Sequence, residues 1–159
     1  MMMVLFFTVP VATIPAELGR PWAEFSREPA GHLITIKVEV GTLGYDHTHK
    51  QLDFWLRRSV VKGFQKHAQV TWADTRTCIA ARPVLASMRN ITVPKFAPVG
   101  SSPGSQIVLD GVSYSLSTYS DEGKLTAETN VNTPVAAWIE LALKDLDSCW
   151  TSVVPERTR

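Results

Sequence analysis

The stretch TPVAAWIELALKDLDSC, residues 133–149, decides most of the fold. Thr133 is a residue type that caps helix starts, and Pro134 suits the first helical position, where its missing N–H would have no intrahelical acceptor. From there Val135, Trp138, Ile139, Ala142, Leu146 and Cys149 recur at spacings of three, one, three, four and three. That is one continuous apolar stripe on a helical period, so the segment predicts an amphipathic helix lying on a core. Glu140 and Lys144 on its other side form a favourable i,i+4 pair.

The surface under such a helix is legible upstream. In LITIKVEV, residues 33–40, Ile34, Ile36, Val38 and Val40 alternate with Thr35, Lys37 and Glu39, the period of a strand with one buried face. The glycines at 41 and 44 are expected to end it. Residues 52–60 fit a strand through Leu52, Phe54 and Leu56, or a helix through Leu52, Trp55, Leu56 and Val60; the Phe, Trp and Val content favours the strand. His67 to Asp74 alternates again, with Ala68, Val70 and Trp72 on one side.

A short middle helix is expected to cover Val84, Leu85 and Met88 and to fray near Asn90. Thr77 could cap it with Pro83 inside, or it could start at Pro83. Residues 93–105 hold three prolines, two glycines and three serines and read as a loop or crossing connection. Asp110-Gly111 suits a tight hairpin turn between 106–109 and 112–116. A further turn at 120–123 leads into a strand over 124–129. The fold class is therefore α+β: a mainly antiparallel sheet of five or six strands, with the middle helix and the C-terminal helix on one face.

Composition bounds the function. At 159 residues the chain suits one domain, and a formal net charge of +1 leaves no global electrostatic footprint for nucleic acid. No stretch approaches the roughly 20 apolar residues of a transmembrane helix. Residues 1–16 are apolar and uncharged, and read as a signal peptide ahead of a single domain over 17–159. That places the protein in the periplasm or outside the cell; without export it is cytoplasmic. The two cysteines, Cys78 and Cys149, lie in no Cys-x-x-Cys motif, which argues against a structural zinc site. In an exported chain they would form one disulfide, stabilising by roughly 4 kcal/mol in the chain-entropy model; in a cytosolic chain they would be buried thiols.

Candidate chemistry is sparse. His47 and His49, in Asp46-His47-Thr48-His49, point to one face if the segment is extended and are the candidate metal ligands, although a metal needs a third ligand and a supporting shell. Gly100-Ser101-Ser102-Pro103-Gly104 matches the nucleophile-elbow pattern in letters, but it leads into a strand where the motif requires a helix. Arg57, Arg58, Lys62 and Lys66 with Trp55 and Phe64 form a basic and aromatic group, interrupted by Asp53 and read as a solvated face. Asn90-Ile91-Thr92 is a glycosylation acceptor only in a eukaryotic secretory pathway. No phosphate-binding glycine loop or dinucleotide fingerprint is present, and no cofactor is expected.

Three segments carry a resemblance: Trp72-Ala-Asp-Thr-Arg-Thr-Cys78, Ile107-Val-Leu-Asp-Gly111, and Asn132-Thr-Pro-Val-Ala-Ala-Trp138 leading to Cys149-Trp150. In this order, over residues 70–150, the chain resembles small exported bacterial proteins of no assigned function. The resemblance implies an exported α+β domain with a Cys78–Cys149 bridge and no particular activity. The expected function is a non-catalytic exported binding protein, such as an inhibitor, immunity or accessory factor with a protein partner. The alternative is a small enzyme or metal-dependent protein whose site is assembled from residues distant in sequence.

Overall fold

The structure, a computed structural model, describes residues 13–32, 34–63, 67–92, 111–130 and 132–157. Six antiparallel strands form one sheet: β1 (Ala23–Pro29), β2 (Ile34–Asp46), β3 (Gln51–Lys62), β4 (Gln69–Asp74), β5 (Val112–Ser120) and β6 (Gly123–Thr129). Their spatial order is β4-β3-β2-β1-β5-β6. Helix α1 (Ala81–Ser87) follows β4, and α2 (Pro134–Asp145) follows β6. This is the expected α+β class. Among the described residues no helix is long and apolar enough to cross a membrane.

Register shows which face carries the core. Ala23 pairs with Val40, Val40 with Leu56, and Leu56 with Ala73; one row on, Leu116 pairs with Phe25 and Phe25 with Val38. These residues are all buried, in one cluster with Val84 and Leu85 of α1 and Val135, Trp138, Ile139 and Ala142 of α2. Both helices therefore lie on the same face. Phe25 meets Trp138 edge-on at 5.1 Å between ring centroids. Thr133 caps α2 by accepting from the Ala136 N–H at 3.3 Å.

The opposite face is polar over β1 and β5 and carries a second, smaller cluster near β4. There Leu18, Leu43, Trp55 and Trp72 are buried together, with Ile14 and Val70 against them. The Trp55 Nε1–H donates to the Leu18 carbonyl at 2.9 Å, which ties the short 3-10 turn Ala16–Leu18 to β3.

Three expectations change and one holds. The glycines at 41 and 44 do not end β2: Gly41 remains in the ladder opposite Trp55, a β-bulge falls between Thr42 and Gly44, and the strand continues to Asp46. Residues 51–62 are strand throughout, as their composition favoured. Pro83 lies third in α1, still in the first turn where a backbone N–H has no intrahelical acceptor. Glu140 turns from Lys144 to the sheet, accepting from Arg27 Nε at 2.7 Å and from the Tyr114 hydroxyl at 2.6 Å. Burial alone would raise the Glu140 pKa, yet the hydrogen bonds from Tyr114 and Arg27, with the Arg27 charge, hold it below the usual value. The expected strand 106–109 lies outside the described residues; Tyr114, expected to face Ile107, has Arg27 of β1 on one side and Thr129 of β6 on the other.

The cysteines are bridged. Cys78 and Cys149 form a disulfide with Cα atoms 5.4 Å apart, closing a loop of 71 residues. The Asp74 carboxylate accepts from the backbone N–H groups of Arg76 and Thr77, at 2.7 and 3.0 Å, and so shapes the turn from β4 toward Cys78. The bridge thus fastens the end of the C-terminal helical segment to the chain just before α1.

Candidate functional site

Two of the concavities built from these elements bear on function. The first is a groove of about 320 Å³ between the helices, lined by Ala80, Pro83, Val84 and Ser87 from the α1 side and Trp138, Leu141, Ala142 and Asp145 from α2. Its lining is mainly apolar. The Trp138 indole N–H, the polar atom of its largest side chain, already donates to Ser87 Oγ at 2.9 Å, and that hydroxyl donates to the Val84 carbonyl at 2.7 Å. Leu141 is 56% exposed, and Ile79, adjoining the groove residue Ala80, is 94% exposed. The charged residue lining this groove, Asp145, is the last residue of α2, where the helix dipole adds further negative potential.

The second concavity is a polar cleft of about 220 Å³ at the end of the sheet where β2 turns into β3. Asp46, His49 and Gln51 meet Asp53, Thr75, Arg76 and Arg82 there. Residues 47–50 are a turn, so the extended geometry that would align His47 and His49 is absent. His49 Nδ1 lies 2.6 Å from Asp46 Oδ2, while His47 packs edge-on against Tyr45 with centroids 5.1 Å apart. Among the described residues no group of three or more His, Cys, Asp or Glu side chains is arranged to hold a metal ion.

The cleft's charges satisfy one another. The buried Asp53 accepts from Arg82 Nη2 at 2.6 Å and from Thr75 Oγ1 at 3.0 Å, and Arg82 also donates to the Leu52 carbonyl at 2.8 Å. Asp46 is held down at about 2, chiefly by its hydrogen bond with the His49 side chain and then by the His49 backbone N–H. A carboxyl this acidic is ionised at neutral pH and is no proton donor. General acid–base sites tune a group's pKa toward working pH, and Asp46 is tuned away from it.

A folded-state pKa below the ordinary 3.8 means that Asp46 supports the turn fully above the usual carboxylate range and loses that support as pH falls toward about 2. The Asp46 carboxyl resonance, followed by NMR, should titrate near 2. His49→Ala should return it toward 3.8, and an unshifted resonance in that variant would break the assignment.

The basic and aromatic group is divided by the strand's alternation. Arg57 sits on the polar face beside Glu39 and the Trp72 ring, and Arg58 on the opposite face stacks over Trp150, 4.7 Å from its centroid. Residues 64–66, including Phe64 and Lys66, and the Gly100–Gly104 pattern lie outside the described residues. Thr75 and Arg82 of the cleft, Leu141 of the groove and the adjoining Ile79 were not singled out from sequence, and Asp53 was read only as an interruption of the basic group. The position of Ile79 beside Cys78 was the one local signal for them.

Compared with family models, curated proteins and solved structures, the chain matches none. The functional reading therefore rests on the two concavities and the bridge.

Proposed function

We propose that the chain is an exported, non-catalytic binding domain, similar to small exported bacterial proteins, whose interhelical groove receives an aliphatic side chain of a protein partner. The observation that carries this reading is the mainly apolar groove reaching Ala80, whose chain neighbour Ile79 is almost fully exposed. Burying one aliphatic anchor there contributes about 1.5–3 kcal/mol, a typical hot-spot share. Asp145 at the rim favours a Lys or Arg next to that anchor. The Cys78–Cys149 bridge ties the chain before the start of α1 to the turn after the end of α2, so an oxidising compartment keeps the groove preformed. The saturated ion pairs of the polar cleft fit a structural role and weigh against the catalytic alternative.

Selection of displayed peptides on the oxidised protein tests the proposal. Bound sequences should share an aliphatic residue beside a basic one. Leu141→Asp should weaken them at least about tenfold, or roughly 1.4 kcal/mol. Asp145→Lys should shift the preferred neighbour from basic to acidic. Selected peptides indifferent to both substitutions, in variants with unchanged circular dichroism, would sink the groove as the binding surface.

A further inference from the structure

The two edges of the sheet are treated differently. On β4, Trp72 exchanges backbone hydrogen bonds with Thr151 at 2.7 and 2.8 Å, so the C-terminal tail covers that edge. At the other end β6, with the sequence GKLTAET, is the last strand among the described residues. Lys124, Leu125, Thr126 and Glu128 are all exposed, Leu125 to 62%. An aliphatic residue at that exposure on a seven-residue edge is a surface that invites pairing.

The backbone geometry of this edge follows from its turn. Asp121 and Glu122 form a two-residue connection closed by the pair Ser120 and Gly123. That closing pair is hydrogen-bonded, and antiparallel ladders alternate hydrogen-bonded with non-hydrogen-bonded pairs. Gly123, Leu125 and Ala127 therefore direct their N–H and C=O groups to β5. Lys124, Thr126 and Glu128 direct theirs outward, away from the sheet.

We propose that β6 pairs antiparallel with β6 of a second copy about a two-fold axis at Thr126, joining two sheets into one. This interface is separate from the interhelical groove and does not depend on it. In this register Lys124 faces Glu128 of the second copy, and Glu128 faces its Lys124. The outward-directed residues meet one another, so three hydrogen-bonded pairs form, about six backbone bonds. Centring the axis on Lys124 or Glu128 would set like charges opposite each other, and centring it on Leu125 or Ala127 would set neither charge against its complement. Only Thr126 gives a self-complementary strand.

The helix-side face agrees with this register. Leu125 and Ala127 line an apolar furrow of about 120 Å³ with Met88, Ile91, Leu116 and Val135. In the paired strands Leu125 of each copy lies across from the small Ala127 of the other, at the mouth of that furrow. Lys124 now pairs with Glu24 Oε1 at 3.5 Å and lies 5.1 Å from the Tyr119 ring centre; with its side chain 47% exposed, these are solvent-screened contacts that pairing across the axis would exchange for Glu128 of the second copy.

Sedimentation equilibrium of the full chain over a range of concentrations tests the pairing. The unmodified protein should show a monomer–dimer equilibrium. Lys124→Glu and Glu128→Lys singly should each weaken the dimer at least about tenfold by placing like charges opposite. The double reversal should restore it, because opposite signs again face across the axis. Thr126→Pro removes an outward N–H and leaves the β5 backbone ladder, though it loses the hydroxyl contact with Ser117 at 2.9 Å; it should abolish the dimer, with folding checked by circular dichroism. A protein monomeric at the highest attainable concentration overturns the proposal, as does a dimer insensitive to both single reversals.

Discussion

Gly41→Ala should be the most damaging single substitution at a surface-distant position of this protein. A Cβ on Gly41 would stand 2.2 Å from Cε2 and Cζ2 of the Trp55 indole, far inside contact distance. Gly41 and Trp55 are register partners on adjacent strands, and the indole lies flat across the glycine. Trp55 has nowhere to go. It is fully buried, its N–H is held by the Leu18 carbonyl, and Trp72 meets it edge-on with ring centroids 5.9 Å apart. The methyl either expels the indole from the smaller core or forces β2 away from β3 beside the Thr42–Gly44 bulge. Losing a buried tryptophan's packing costs about 3–5 kcal/mol, a large share of the stability of an ordinary domain. Urea unfolding should show the midpoint falling with the slope unchanged. The double variant with Trp55→Leu distinguishes a clash from a general intolerance of alanine. Since the ring that collides is then gone, adding Gly41→Ala to Trp55→Leu should cost little, a coupling that only contacting residues show. Equal penalties in both backgrounds would refute the proposed clash.

Reducing the Cys78–Cys149 bridge should have the next largest effect. The closed loop of 71 residues contributes about 4 kcal/mol in the chain-entropy model. For a domain of this size that corresponds to a melting temperature lower by roughly 10 °C. The loss should be felt first at the groove, because the bridge joins the segment before α1 to the 3-10 turn Asp147–Cys149 after α2. Hydrogen exchange in α1 and at the end of α2 should accelerate before that of β2 and β3. Paired Cys78→Ala and Cys149→Ala substitutions should reproduce the effect without reductant. The native chain, isolated under non-reducing conditions, should lack two thiol protons by mass. Free thiols in that chain, or a melting temperature unmoved by reductant, would contradict both the bridge and its role.

Much of this fold could be read directly, and the failures have physical causes. The alternation of residues 34–40 and the stripe from Val135 to Leu146 survive because each buries its apolar face against a continuous core. β1 went unread. AEFSREP has apolar residues only at Ala23 and Phe25, followed by charge and proline, yet it lies between β2 and β5 near the sheet's centre. Its polar alternates are tolerated because the other face of the sheet is polar there, with Glu24 meeting Lys37 at 2.8 Å. The end of β2 was misplaced for a related reason: Gly41 reads as a terminator, while its lack of a side chain makes room for an indole arriving from the next strand. In the polar cleft His49 was visible beside Asp46, but Asp53 reaches Thr75 and Arg82 across 22 and 29 residues of chain.

The sequence by itself determined the periods, and with them the helix, most strands, the single cysteine pairing available and the near-neutral charge that gives no global footprint for nucleic acid. Local spacing suffices for these because a side chain's direction repeats with the backbone's own geometry. Tertiary structure alone decided that Arg57 and Arg58 serve opposite faces, that Glu140 leaves Lys144 for Arg27 and Tyr114, and that Ile79 stands open beside a groove. Each depends on which strand or helix lies alongside. That is set by the pooled burial of distant apolar residues, which no local spacing records.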